Sequence, residues 1–91
     1  MFVKFREGTV MAGKEDEFFQ KINEVSIPAY EAMKGCKGCK LLLDRKSLKA
    51  VFISYWETEA DMHASEENVG FRKQLDDVRQ PPTSSFYEVI V

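Results

Sequence analysis

The chain has 91 residues, of which 44% are hydrophobic and 12% aromatic, and a formal net charge of -2. This length allows one domain with a modest core, which a second copy of the chain would enlarge. Basic side chains are scattered among acidic ones, so nucleic acid is a poor candidate partner. Because no apolar run approaches the ~20 residues of a membrane span and the N-terminus lacks a signal-peptide core, we expect a soluble, cytoplasmic protein with no membrane partner.

Residues 1–10 alternate in polarity, with Val3 and Phe5 on one side and Lys4 and Arg6 on the other. This period of two predicts a first strand with one buried face and one mixed face.

A glycine turn at 11–14 and three acids at 15–17 predict the start of a long helix, because acidic side chains favour the positive end of the helix dipole. Pro28 predicts a kink or break near Ser26-Ile27, and Gly35 is the predicted helix end. The apolar positions that should face a sheet recur at spacings of three and four: Phe18, Ile22, Val25, Ala29 and Met33.

Residues 39–43 and 50–57 are predicted to form a β-hairpin around the polar turn at 44–47. The later strand of this hairpin, at residues 50–57, is predicted to be central in the sheet, because it is apolar or aromatic on both faces. One face carries Val51, Ile53 and Tyr55, and the other carries Phe52, Ser54 and Trp56. Both faces should therefore be covered.

Thr58, with Asp61 three residues later, predicts an N-cap directly after that strand. The helix that follows carries His63, the only histidine. We therefore expect Trp56 and His63 to border the same space.

Residues 58–79 should hold two short helices, or one helix broken at Asn68-Val69-Gly70, followed by a proline loop at 80–85 and a final strand at 86–91. The order β-α-β-β-α-β predicts an α+β, ferredoxin-like fold with helices on one face of an antiparallel sheet. The other apolar face needs a cover, which predicts a homodimer packed sheet to sheet.

Five motifs, at residues 13–15, 34–38, 55–60, 63–65 and 71–72, resemble the antibiotic biosynthesis monooxygenase domain family. The resemblance spans the whole chain and implies a single domain over residues 1–91 that pairs as a dimeric α+β barrel. It further implies either a cofactor-free oxygenase of aromatic quinols, a haem-degrading oxygenase, or a protein without an assigned activity. The haem-degrading branch has an asparagine on the first strand and a histidine on the later helix. Here the first strand has no asparagine and residues 71–79 contain no histidine, which argues against that branch.

Cofactor-free oxygenation needs an electron-rich aromatic substrate, a base and a dry pocket. His63 is the candidate base, because its ordinary pKa lies near neutrality; the alternative is a surface or structural histidine. Trp56 and Phe52 are candidate walls for a planar ligand, or plain core. Tyr30 is a candidate hydrogen-bond donor, and Arg72 could pair with a substrate phenolate or carboxylate, or be a solvated helix charge.

Cys36 and Cys39 form a Cys-x-x-Cys motif, which raises the question of a metal or redox site. A zinc site needs about four ligands, and the pair follows a predicted helix C-terminus, where the dipole disfavours a thiolate. We therefore expect structural, reduced thiols, no metal and no cofactor. The leading hypothesis is a cofactor-independent monooxygenase of a quinol-like molecule; the alternative is a non-catalytic small-molecule-binding or stress-associated module.

Overall fold

The computed structural model of the chain describes residues 1–67 and 70–91, with Phe71 described by its backbone alone. Its strands are β1 (Phe2–Thr9), β2 (Cys36–Asp44), β3 (Lys49–Trp56) and β4 (Thr83–Glu88). They form one antiparallel sheet in the order β2-β3-β1-β4. Helices follow β1 and β3, so the predicted α+β, ferredoxin-like fold is confirmed.

The first helical segment is continuous but irregular, with α1 (Glu15–Lys21), a π turn (Ile22–Ser26) and α2 (Ile27–Glu31) in succession. The N–H of Ile27 bonds to the carbonyl of Ile22, five residues back. The irregularity thus lies where Pro28 predicts it, as a π turn rather than a break, because a π turn absorbs a misfit in the α-helical hydrogen-bond ladder.

Gly35 lies beyond the end of α2 with a φ of +79°. A Cβ at this position would lie 2.8 Å from Cβ and Cγ of Asp61. Both the backbone conformation and the close approach of the next helix therefore require glycine here.

The segment after β3 begins as predicted, because the hydroxyl of Thr58 accepts a 3.1 Å hydrogen bond from the backbone N–H of Asp61. Helix α3 (Glu59–Ala64) continues into 3₁₀ turns at Ser65–Glu67 and Gly70–Leu75. Of the predicted break at Asn68-Val69-Gly70, the first two residues lie outside the described residues.

The last strand is displaced from its prediction. It begins at Thr83, inside the predicted loop at 80–85, and ends at Glu88, before the predicted end at Val91. Pro82 is the last proline of the loop, and the residues after it have the backbone N–H that pairing needs. Thr83 therefore pairs with Glu7 of β1.

The helices cover the face of the sheet that carries Lys4, Arg6, Phe52 and Trp56. The face of β1 predicted to be mixed is therefore the one under the helices, and Lys4 is completely buried. The core on this side contains Val10, Phe18, Ile22, Tyr30, Ala50, Phe52, Trp56, Met62, Leu75 and Val78.

The opposite face carries Val51, Ile53 and Tyr55 of β3, as the alternation predicts. Within the described residues no helix packs on it, and Leu42 and Tyr87 remain 50% and 55% exposed. The predicted dimer that would cover this face stays a prediction.

Candidate functional site

A cavity lies between the sheet, the first helical segment and the turn at Gly70–Leu75. Its apolar walls include Phe18, Ile22, Leu41, Ala50, Phe52 and Leu75. The empty space amounts to about 430 Å³, including the part that is open to solvent at the mouth.

Aromatic side chains form one wall of the cavity. The rings of Tyr30 and Phe52 lie 4.8 Å apart at 43°, and both residues line the space. Trp56 lies behind them, 6.2 Å from Tyr30 and fully buried, where its indole N–H donates to the hydroxyl of Ser54 at 2.8 Å. Of the two predicted walls, Phe52 thus faces the cavity and Trp56 supports Tyr30 from the core.

Arg72 is buried, at 7% exposure, rather than solvated on a helix surface. One of its terminal nitrogens donates to the Tyr30 hydroxyl at 2.9 Å and to the carbonyl of Ser65 at 3.3 Å. Both Arg72 and Tyr30 line the cavity. The structure therefore brings together three of the predicted ligand-binding residues, Tyr30, Phe52 and Arg72.

A charged cluster lies beside this pair. The ammonium of Lys4 donates to the hydroxyl of Ser65 at 2.6 Å and lies 3.1 Å from a carboxylate oxygen of Glu66. The other oxygen of Glu66 lies 3.5 Å from Arg72 and 3.6 Å from Arg6. One carboxylate thus contacts three cations.

The buried positions of these groups shift their pKa values. Burial lowers the pKa of Lys4 to about 8, and it also lowers the pKa of Arg6 and raises that of Tyr30. Burial opposes ionisation of Glu66, but the contact with Lys4 and the charges of both arginines hold its pKa below the ordinary value. Tyr30 therefore stays protonated near neutral pH.

Two further polar residues line the cavity, Ser26 from the π turn and Arg79 from the segment before β4. Burial lowers the pKa of Arg79 to about 10, so its guanidinium stays charged near neutral pH. Sequence analysis missed both residues, and also Lys4, Arg6 and Glu66. Two of these residues, Lys4 and Arg6, alternate with Val3 and Phe5 in β1, and this alternation is the sequence signal that could have identified them.

The candidate base, His63, lies elsewhere. Its side chain is 51% exposed, pairs with Glu59 at 3.5 Å and stacks 4.8 Å from the ring of Phe86. Neither His63 nor Trp56 is among the described residues that line the cavity. The structure thus does not bring His63 to the space that Phe52 borders.

The two cysteines are free and partly buried. Burial, with the neighbouring Cys36, raises the pKa of the Cys39 thiol to about 11, which disfavours a reactive thiolate. Across residues 1–67 and 70–91, no group of three or more histidine, cysteine or acidic residues is arranged to hold a metal ion. None of the helices in these ranges is long and apolar enough to cross a membrane.

Fold and cavity together define a ferredoxin-like α+β domain with a candidate ligand cavity between its sheet and helices. Residues 1–75 match the antibiotic biosynthesis monooxygenase family. The chain therefore belongs to that family, as its motifs predict.

A protein of Mycobacterium tuberculosis strain H37Rv, described as uncharacterised, is 41% identical over 66 residues. These residues make up 70% of this chain and 30% of that protein, so the chain spans about a third of the length of this curated relative. Any activity of the longer protein therefore is not carried over to this chain.

Solved structures share the fold. A protein from Nitrosomonas europaea, described as a candidate antibiotic biosynthesis monooxygenase, has a TM-score of 0.81 at 17% identity, with 100% of both chains covered. The haem degrader MhuD from Mycobacterium tuberculosis, solved with two haems in its active site, has a TM-score of 0.80 at 19% identity. That match covers 100% of this chain and 97% of MhuD. At these identities the likeness concerns the fold alone.

Proposed function

We propose that the protein is a cofactor-independent monooxygenase, an oxidoreductase that acts on a planar, quinol-like phenol bound in the cavity. The observation that carries the proposal is the buried pair of Arg72 and Tyr30 beside the Phe52 ring. The pair offers a charged and a neutral hydrogen-bond donor next to an aromatic wall. Family membership supports the same class of reaction.

The reaction consumes dioxygen and a phenol that carries hydrogen at the para carbon. The phenolate passes one electron to dioxygen, and the resulting radicals join at the para carbon as a peroxide. The O–O bond then breaks, so that one oxygen atom becomes the new quinone carbonyl and the other leaves as water. The phenol proton and the para hydrogen supply the two hydrogens of that water.

The protein's part in this reaction is to favour the phenolate and to exclude water. The guanidinium of Arg72 lowers the pKa of a phenol beside it, because an opposite charge stabilises the anion. The protonated hydroxyl of Tyr30 can donate a second hydrogen bond to the same oxygen. Because His63 lies outside the cavity lining, the proposal assigns the phenol proton to water at the mouth rather than to this histidine.

Oxygen uptake with a panel of phenols and quinols, without added metal or flavin, tests the proposal. Arg72→Gln should lower the rate about 100-fold, the usual effect of removing one donor from a developing anion. Lys73→Gln is the matched control, because Lys73 is exposed on the same turn. The proposal fails if no compound supports uptake, or if Arg72→Gln turns over as fast as the control.

Haem does not match this cavity. Its described lining residues include no histidine, the proximal ligand of haem iron in globins and peroxidases. The side chain of His63, the one histidine of the chain, lies at the surface in contact with Glu59 and Phe86. No haem chemistry is therefore included in the proposal.

A non-catalytic small-molecule-binding or stress-associated module is the second candidate function. The surface position of His63, outside the cavity lining, favours it, because the cavity then lacks the predicted base. Binding of a phenol without oxygen uptake would distinguish this module from the oxygenase.

We further propose that the protein is a homodimer paired through the uncovered face of the sheet. Apolar side chains of all four strands lie on that face, including Leu42, Ile53, Phe5 and Tyr87. The rings of Phe5 and Tyr87 pack edge to face at 5.4 Å and extend the apolar surface across two strands. A contiguous surface of this kind is typical of an interface.

A further inference from the structure

Three arginines, Arg6, Arg72 and Arg79, line the same cavity. Arg6 and Arg72 both contact Glu66. In contrast, the side chain of Arg79 makes no hydrogen bond or ion pair with any described residue, and its Nε is buried. Arg6 and Arg72 each disfavour the charge on Arg79, while the carboxylate of Asp76 favours it without forming an ion pair with it. The cavity therefore has a charge that no carboxylate of the described residues neutralises at contact distance.

The hydroxyl of Ser26 lines this cavity as well, at 2% exposure for the residue. A serine inside a helix ordinarily bonds to a carbonyl of the preceding turn or points into solvent. Here the hydroxyl is buried and has no hydrogen-bond partner among residues 1–67 and 70–91. A buried hydroxyl without a partner is costly, and the π turn that carries it is a feature frequent at functional sites.

We propose that Arg79 and Ser26 form a subsite for the carboxylate of an aromatic acid, so that the ligand of this cavity is a planar monoanion. The planar guanidinium fork matches a carboxylate with two parallel hydrogen bonds, and a serine hydroxyl can donate a third. A carboxylate would give Arg79 the contact-distance counter-charge that no described residue supplies.

The subsite deepens the proposed function, because it specifies the substrate class for the same cavity, but it does not depend on oxygenation. Its test therefore uses benzoate, which carries no phenol to oxidise. Benzoate, benzyl alcohol and phenyl phosphate are titrated into ¹⁵N-labelled protein, and the guanidinium Nε–H signals are followed by NMR together with calorimetry. Benzoate should bind and shift the Arg79 signal, and the neutral alcohol should bind at least tenfold more weakly.

Four variants locate the binding. Arg79→Gln should weaken benzoate binding at least tenfold, because it removes the charged donor. Arg79→Lys keeps the charge but loses the fork, and should fall between Arg79→Gln and the wild type. Ser26→Ala should weaken binding about fivefold. Arg45→Gln, which changes the net charge equally at an exposed turn, should bind as the wild type does.

Several results would overturn the subsite. These are no binding of benzoate by the wild type, equal affinity for benzoate and benzyl alcohol, or wild-type affinity in both Arg79→Gln and Ser26→Ala. Tighter binding of phenyl phosphate than of benzoate would also overturn the carboxylate assignment. A protein that binds benzoate as described but takes up no oxygen with any phenol would leave the subsite standing and remove the oxygenase.

Discussion

The two sides of strand β1 differ in a way that reverses the usual division into a polar outside and an apolar inside. The face under the helices includes Lys4, fully buried, and Arg6. The uncovered face presents Leu42 at 50% exposure and Tyr87 at 55%. The apolar side of β1 thus faces away from the chain's own helices, and the charged side faces them.

The difference is the one expected if the charges belong to the proposed site and the apolar side chains to the proposed dimer contact. Lys4 is tolerated under the helices because Ser65 and Glu66, from a distant part of the chain, supply its hydrogen bond and counter-charge. On the uncovered face, no described part of the chain covers the exposed apolar side chains in a comparable way. The homodimer proposed above would cover its apolar surface with a second copy of the sheet.

The largest expected effect comes from breaking the uncovered face. Ile53→Lys, in the middle of β3, should convert the proposed dimer to monomer, because each copy would bury an unpaired ammonium at a cost of about 3 kcal/mol or more. The folded monomer should lose little stability, since the new side chain meets water. Light scattering after size-exclusion chromatography measures the mass, and urea unfolding at low concentration measures the stability.

The control for that variant is Met11→Lys, an apolar residue replaced by lysine in an exposed turn outside the face. It should keep the dimer mass. A wild-type protein that elutes as a monomer at micromolar concentration, or an Ile53→Lys variant that remains dimeric, would show that the uncovered face is not the interface.

The next effect concerns the covered face. Glu66→Gln removes the carboxylate that contacts Lys4, Arg6 and Arg72. The cations would then lack a partner charge, and the free energy of unfolding should fall by about 2–3 kcal/mol, at the low end for a broken buried pair because Glu66 is partly exposed. Urea unfolding measures the change. Glu67→Gln, at the exposed neighbouring position, should stay within 0.5 kcal/mol. Equal stabilities of the two variants would contradict the cluster's role.

A smaller effect should appear in the pH dependence. The pKa of Lys4 is about 8 in the folded chain and 10.5 ordinarily, so the unfolded chain binds more protons between these values. Stability should therefore rise with pH across this window, by about 1 kcal/mol between pH 7 and 9, relative to a Lys4→Met variant without this titration. Urea unfolding of both proteins at the two pH values measures the difference. If the stabilities of the wild type and of Lys4→Met changed equally with pH, the pKa of Lys4 would not be lowered in the folded chain.

The smallest effect is expected at His63, which belongs to neither face. Because it is half-exposed and paired only with Glu59 across one helical turn, His63→Ala should change stability by less than 0.5 kcal/mol. It should also leave oxygen uptake with a phenol at the wild-type rate. A large loss of uptake would restore His63 as the base, and calorimetric binding of the same phenol would show whether the loss concerns the reaction or the ligand.

Local patterns were sufficient for most of the fold. Alternation placed β1 and β3, the acids at 15–17 marked the start of the first helix, and Thr58 capped α3, because each of these signals acts within a few residues. The limits of β4 were predicted wrongly, because a loop was expected around the two prolines. In the structure the pairing with β1 begins directly after Pro82, and the register of that pairing sets the start of β4.

The site was predicted less completely. Tyr30, Phe52 and Arg72 were named from residue type and meet at the cavity, whereas Ser26 and Arg79 carry no distinguishing local pattern. A serine in a helix and an arginine two residues before a proline are common, and only the packing of distant segments leaves the Ser26 hydroxyl and the Arg79 Nε without a hydrogen-bond partner among the described residues. His63 was selected by its intrinsic pKa, but the direction of its side chain depends on how α3 lies against β4.

The sequence by itself determined the order of elements, the two-sided apolar character of β3 and the family, because periodicity, capping and motifs are local properties of the chain. Tertiary structure decided which side of β1 the helices cover and where the buried charges find partners. The physical reason is that burial and electrostatic pairing join residues far apart in sequence, such as Lys4 with Glu66 and Tyr30 with Arg72.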